Sequence, residues 1–261
     1  MLRQMIARLS RGRSRAARAV HYLRRRPFLD IVEPADLDIR LWIDPADRFQ
    51  LEIWAGAYQT HVVGWLRRTV RPGDRVLCVG LHVGYIAGVC RRLAGPGGAV
   101  FSAEPDPAAR TLAQRNANLA DARDAPLHVF AGGLGAAPGT ESLYQSRVAG
   151  HSSFAGPHQN VGRVDVPVTT GDAFLTQHGV GALDVLVLDV EGWEQQVLAG
   201  LAGTVARSPQ LHVCYEATLW ALREAGASPE MLHTWFGARG FAVAPLGGDD
   251  WTATRDHAAR K

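Results

Sequence analysis

Lysine is almost missing from this chain: of 28 basic side chains in 261 residues, only Lys261 is a lysine. A phosphate-binding loop needs a lysine after its glycines, a pyridoxal enzyme needs one for its Schiff base, and a protein kinase needs one on a strand. All three classes are set aside. Cysteine is also scarce. Cys78, Cys90 and Cys214 each fall in an apolar segment, and an odd number without a CxxC pair argues against a disulfide framework or a structural zinc site. A reducing, cytoplasmic setting is the expectation. Long apolar runs are absent, because Asp, Arg or Gly interrupts every candidate within about ten residues. The N-terminus has no continuous apolar block of the kind a secretory signal requires. Acid is missing from residues 1–26, which hold nine arginines; the rest of the chain carries 19 basic residues against 25 acids, a net of −6.

That basic head has Leu2, Met5, Ile6 and Leu9 at helical spacing. It reads as an amphipathic helix for an anionic membrane surface, or as a solvated or surface-packed tail. Nucleic-acid binding is not expected, since no basic–aromatic interleaving follows. With 47% apolar residues the chain can fill one large α/β core. The division that follows is a basic segment 1–26, an extension 27–70 packing on the core, and a main domain 71–261.

From residue 71 strands alternate with helices. "RVLCVG", "AVFSAEPD", "LHVFAGGLG", "LDVLVLDVEG", "QLHVCYEA", "FAVAPL" and "WTATR" read as strands. Helices are expected at about 85–93, at "PAARTLAQRNANLA", as one piece at "EQQVLAGLAGTVAR", and near 229–239. Apolar strands between amphipathic helices imply a parallel sheet covered on both faces. Residues 136–172 break the rhythm: "TESLYQS" and "RVDVPVTT" alternate with period two around a Gly/His/Ser-rich loop, an inserted hairpin. In the extension, "IRLWI" reads as a strand and "YQTHVVGWLRRTV" as a helix.

Gly80 and Gly84 flank the turn after the first core strand, where positive φ and close backbone approach to a ligand are useful. Glu104 ends the second strand, placed to accept hydrogen bonds from both hydroxyls of a ribose. The Gly-x-Gly-x-x-Gly dinucleotide fingerprint fails, because Gly80, Gly84 and Gly88 are spaced by four. S-adenosylmethionine, which has no phosphates, suits the looser turn, and a purely structural turn is the alternative.

Between about residues 55 and 246, "RPGDRVLCVGLHVGYIAGV", "AVFSAEPDPAARTLAQRNANL", "VPVTTGDAF", "LDVLVLDVEGWEQQVLAGL" and "LHVCYEA" stand in an order and spacing that resembles the FkbM family of S-adenosylmethionine-dependent methyltransferases. The resemblance implies a class I methyltransferase fold of seven strands, the last antiparallel. It also implies O-methylation of a hydroxyl on a sugar, glycolipid or natural-product acceptor. Gly80, His82, Gly84, Tyr85, Glu104 and Gly133 are the cofactor-binding positions it points to. The family usually has V-x-D-V-G-A-N-x-G-Y where this chain has "VLCVGLHVGY". Cys78, Leu81 and His82 depart from it, and Cys78 removes an acid that normally helps hold the cationic end of the cofactor. A non-catalytic binding protein with this fold is therefore a rival. A nucleic-acid methyltransferase is a weaker one, as neither an Asn/Asp-Pro-Pro-Tyr motif nor a Pro-Cys nucleophile is present.

Attack of a neutral hydroxyl on a methyl group calls for a general base. Asp189 and Glu191 end the most apolar strand, and at i and i+2 they share one face if it stays extended. Glu191 is alternatively a cap for the following helix. His151, in the insertion, is a second base candidate or an ordinary loop histidine, and His158 is a weaker one. Glu216 is placed to line the acceptor pocket. Trp193, Trp220 and Tyr215 are read as core, with sugar stacking the alternative. Asp106 is read as a helix cap. Asp189, Glu191 and Glu216 have the oxygens for magnesium, but nothing fixes their spacing, so metal-independent transfer is the default.

Overall fold

The structure is a computed structural model and describes residues 28–32, 37–44, 46–147, 150–156 and 160–255. His158 and the basic segment 1–26 lie outside the described residues. The chain opens with β1 (Phe28–Val32) paired antiparallel to β2 (Ile39–Ile43), then α1 (Arg48–Trp54) and α2 (Thr60–Thr69). The core follows as β3 (Arg75–Val79), α3 (Tyr85–Ala94), β4 (Ala99–Ala103), α4 (Pro107–Ala117) and β5 (Leu127–Phe130). The insertion is β6 (Gly133–Leu134), β7 (Gly139–Ser146) and β8 (Asn160–Thr169), followed by α5 (Gly171–Gln177). The second half is β9 (Val185–Leu188), α6 (Glu194–Gly200), α7 (Ala202–Arg207), β10 (His212–Glu216), α8 (Leu219–Glu224), α9 (Pro229–Gly237), β11 (Phe241–Gly247) and β12 (Asp250–Arg255).

The central sheet has seven strands in the order β11-β12-β10-β9-β3-β4-β5. β3, β4, β5, β9 and β10 pair in parallel, while β12 is wedged antiparallel between β10 and β11. This is the class I methyltransferase arrangement. Side chains alternate across the sheet. Val76, Cys78, Val187 and Cys214 face one core, shared with α2, α3 and β2; Leu77, Val79, Leu186, Leu188 and Tyr215 face the other, under the second-half helices. Strands buried on both faces must be apolar throughout, and each fully buried Leu or Val adds about 1.5–3 kcal/mol.

Three details differ from the sequence pattern. The segment "LHVFAGGLG" is not one strand. It leaves the sheet after Phe130, and Gly133–Leu134 pair with β8 instead. The glycines permit the crossing: a Cβ on Gly132 would lie 2.2 Å from the Pro167 carbonyl oxygen, and one on Gly133 would lie 2.7 Å from the Phe154 ring. The single helix expected at 194–207 breaks at Leu201, because the Asp172 carboxylate accepts from the N–H groups of Gly203 and Thr204 and so caps a new helix. Finally, β1, α1, α5 and α8 have no counterpart in the sequence pattern; α1 starts where Asp47 accepts from the N–H groups of Phe49 and Gln50, and α5 where the Thr170 hydroxyl accepts from that of Ala173.

Candidate active site

The strand order reverses between β3 and β9, and a cavity of about 340 Å³ opens beyond their carboxyl ends. Its floor is the junction of the two strands. The Asp189 N–H donates to the Val79 carbonyl (3.1 Å), and Gly80, at φ +90°, leaves the space in which a Cβ would lie 1.8 Å from the Asp189 carbonyl oxygen. Glycine is required here by contact as well as by torsion.

Glu104 tethers the turn. Its Oε2 accepts from the N–H groups of Leu81 (3.1 Å) and His82 (2.9 Å), and its Oε1 from that of Asp106 (2.9 Å). An ionised carboxylate has about four acceptor positions, so three amides leave one for a ligand hydroxyl, against the two expected. Burial pushes its carboxyl up to about 7, offset in part by those amides. Asp106 caps α4 and takes the Ser152 hydroxyl (2.7 Å), tying the insertion to the cofactor side.

His82 sits at φ +48° with its ring against Phe49 and Gly150, and its buried Nε2 has no hydrogen-bond partner among the described residues. Burial lowers its pKa, so the ring is neutral at pH 7. His82, Gly80, Glu104 and Gly133 line the cavity. Gly84 and Tyr85 lie behind the turn instead: Gly84 caps α3 against Ala113, and Tyr85 is buried against Tyr58. Burial drives the Cys78 thiol up to about 12, leaving it uncharged.

The opposite wall is acidic. Asp189, Glu191 and Glu216 bring carboxylate oxygens within 4.8 Å of one another, with Asp250 also in the lining. The strand-face argument for Asp189 and Glu191 does not apply, since β9 ends at Leu188. They converge because the chain turns there, with Glu191 at φ +53° and Gly192 at φ +96°. Burial, and then the charge of Asp189, raise Glu191 to about 9 and Glu216 to about 10. Burial raises Asp250 to about 6 against the pull of His61, 2.6 Å away. The Gln59 amide donates to Asp189 (3.1 Å).

Glu191 does not cap α6, whose first turn has no side-chain cap; Glu194, the first residue of the helix, reaches back to brace the preceding turn instead. Its Oε1 accepts from Val190 and Gly192, and burial lifts it to about 7. His151 is no isolated loop residue: it lines the cavity, lies 3.6 Å from Glu191 and is stacked between Phe49 and Trp220. Trp193 lines the cavity and Tyr215 belongs to the core. Phe49, Tyr58, Gln59 and Asp250 were not indicated by the sequence; the Asp47 cap that starts α1 is the nearest local signal for Phe49.

The cavity supplies what a sulfonium nucleoside needs: one spare acceptor position on Glu104, unpartnered Nε2 of His82 and Nε1 of Trp193, and apolar walls from Val79, Ala103, Leu134 and Phe154. Fold and site together define a class I methyltransferase. The Methyltransferase FkbM domain matches residues 79–243, more than half of the chain. The chain belongs to the FkbM methyltransferase family and is an S-adenosylmethionine-dependent methyltransferase. Among solved structures, magnesium protoporphyrin IX methyltransferase from Synechocystis PCC 6803 with bound SAM is similar at 18% identity, covering 80% of this chain and 84% of that one with a TM-score of 0.44. Methyltransferase FkbM from Methylobacillus flagellatus KT is similar at 14% identity, covering 78% and 54% with a TM-score of 0.44. Fibrillarin from Aeropyrum pernix is similar at 15% identity, covering 74% and 72% with a TM-score of 0.43. No match is found among curated protein sequences. Among the described residues no helix is long and apolar enough to cross a membrane.

Proposed function

We propose that this enzyme methylates a hydroxyl group of a small-molecule or glycan acceptor held in the acidic half of the cavity. S-adenosylmethionine, when bound, supplies an electrophilic methyl group on a sulfonium. The chain's own residues do the rest. Gly80 and Glu104 shape and hold the turn on which the cofactor lies, and the wall from Leu134 to Phe154 shields it from water. The observation that carries the reading is the position of Asp189. Its backbone is packed against Gly80, while its carboxylate lines the half of the cavity with Glu191 and Glu216. A proton acceptor is thereby built into the floor where cofactor and acceptor meet.

Glu191 and Glu216, raised by burial and by Asp189, are protonated at neutral pH and donate hydrogen bonds to acceptor oxygens. Asp189, held by Gln59, takes the hydroxyl proton as the oxygen attacks the methyl carbon. Positioning supplies the larger share of the rate, through effective molarities on the order of 10⁵–10⁸ M. Phe49 and Tyr58 line the cavity and offer ring surface that suits a sugar or polyketide ring.

The test is transfer of labelled methyl from S-adenosylmethionine to a panel of polyhydroxylated glycan and polyketide acceptors. Asp189→Asn is expected to lower turnover at least about 100-fold while S-adenosylhomocysteine binding changes little. Undiminished turnover in that variant removes Asp189 from the mechanism. Absence of S-adenosylhomocysteine binding to the wild type favours a non-catalytic protein.

A further inference from the structure

We propose that the acidic wall is a proton exit path: the carboxyls of Glu216 and Asp250 carry the proton released by methyl transfer to His61, and His61 hands it to solvent. Three elements build the path. Asp250 opens β12 and lies directly across from Glu216 at the end of β10, so the two side chains stand side by side on one face. Both line the cavity. On the inner side, Glu216 brings a carboxylate oxygen within 4.8 Å of one from Asp189, a gap that a single water spans. On the outer side, His61 Nε2 lies 2.6 Å from Asp250 Oδ2. Exposure rises along this last step: the Asp250 side chain is 14% exposed and that of His61 36%. The start of α2 reaches both ends of the row, since Gln59 holds Asp189 (3.1 Å) two residues before His61.

The role of the path rests on the methyl-transfer reading with a hydroxyl acceptor. Such a transfer leaves a proton behind: as the new O–C bond forms and the C–S bond breaks, the sulfur keeps the electron pair and the hydroxyl proton must leave. It passes to Asp189. Glu216 takes it on one oxygen and releases its own proton from the other to Asp250. Asp250 protonates His61 Nε2, and the Nδ1 proton goes to water. Each carboxyl returns to the charge it began with. The groups facing Asp250 are His61 from α2, Glu216 and the Cys214 thiol from β10, Asp189 after β9, Tyr58 before α2 and Asp249 in its own turn. Burial keeps Cys214 and Tyr58 neutral, and His61 is the basic member of that set. Burial also lifts Asp250 to about 6, into the range where histidine side chains exchange protons.

The test uses the full chain with labelled S-adenosylmethionine and the glycan and polyketide panel. His61→Gln keeps an N–H for Asp250 but cannot carry a proton. It should lower turnover at least about tenfold, with the acceptor KM and S-adenosylhomocysteine affinity little changed. Free imidazole should restore turnover in His61→Ala, a response that a merely structural role does not give. His61→Gln carries the test alone should His61→Ala not fold. Wild-type turnover in His61→Gln, or a slowed His61→Ala that ignores imidazole, overturns the proposal. A second readout needs no acceptor: NMR of the chain labelled with ¹⁵N-histidine, the His61 ring being assigned by its absence in His61→Gln. Its Nε2 shift should move in Asp250→Asn, and an unmoved shift also overturns the proposal. The two readings fail differently. A wild type that binds S-adenosylhomocysteine but methylates nothing on the panel sinks the hydroxyl-methylation reading and the path with it, whereas wild-type turnover untouched by His61→Gln sinks the path alone.

Discussion

If Glu104 holds the cofactor as proposed, binding should depend on pH, and the size of the effect can be worked from its surroundings. Its carboxyl is raised from 4.5 to about 7 by burial, while three backbone amides converge on its oxygens. Those amides and a ribose hydroxyl all donate, so the liganded state needs the ionised form. Below pH 7 the ionised fraction of the free protein drops about tenfold per pH unit. At pH 5 the cofactor product should bind about 100-fold more weakly than at pH 8, or about 2.7 kcal/mol. Folding has the opposite slope. A raised carboxyl pKa contributes stability that is complete below 4.5 and lost as pH rises through 7, to an extent of about 3 kcal/mol. The unliganded protein should thus lose stability over the range in which its ligand gains grip. The assay is calorimetric titration of S-adenosylhomocysteine at pH 5, 6, 7 and 8 into wild type and Glu104→Gln. Asp250, raised to about 6, also titrates in this window, and the Gln variant separates the two. It should bind weakly with little slope. A wild-type affinity that is level from pH 5 to 8, or a Gln variant that keeps the full slope, refutes the argument.

Glu194→Gln should change sign with pH. Glu194 is 1% exposed, its Oε2 has no partner among the described residues, and its carboxyl is raised by burial to about 7. The variant keeps the Oε1 acceptor but buries an unpartnered NH₂, a cost of about 1–2 kcal/mol. Above pH 8 it escapes an ionisation cost of about 3 kcal/mol. In urea melts it should be the less stable protein at pH 5 and the more stable at pH 9; an unchanged difference across that range counts against the raised pKa. Gly80→Ala and Gly84→Ala make a matched pair. Both glycines have positive φ, but a Cβ at 80 meets the Asp189 carbonyl at 1.8 Å and one at 84 meets nothing nearer than 3.6 Å. Gly84→Ala should cost only the backbone strain of about 1–2 kcal/mol, and Gly80→Ala should also abolish S-adenosylhomocysteine binding. Equal losses in thermal melts and in binding would show that the contact at 80 relaxes freely.

Much of the architecture is legible in the chain because buried parallel strands leave no choice of composition: "RVLCV", "VLVL" and "HVCYE" are apolar on both faces wherever both faces are covered. Glu104 and Asp106 are legible for the same local reason, one ending a strand and the other starting a helix. The acidic wall is less so. Asp189 and Glu191 show as a pair, yet the turn that makes them converge depends on a positive φ at a glutamate, which no propensity indicates. Phe49, Tyr58, Gln59 and Asp250 reach the cavity from elements far off in sequence, and only the packing of the N-terminal extension and the antiparallel β12 brings them in. The break at Leu201 is hidden similarly, since its cause is Asp172, some thirty residues upstream.

The contact between Gly80 and the Asp189 carbonyl joins the two strand ends on which the proposed mechanism rests. In the proposed mechanism the bend that would seat the nucleoside and the carboxylate that would receive the proton share one seam, zipped by the Asp189-to-Val79 bond. Heat or denaturant that parts this seam disables both together, so a population that still grips the cofactor but has lost its base should never accumulate on the way to unfolding.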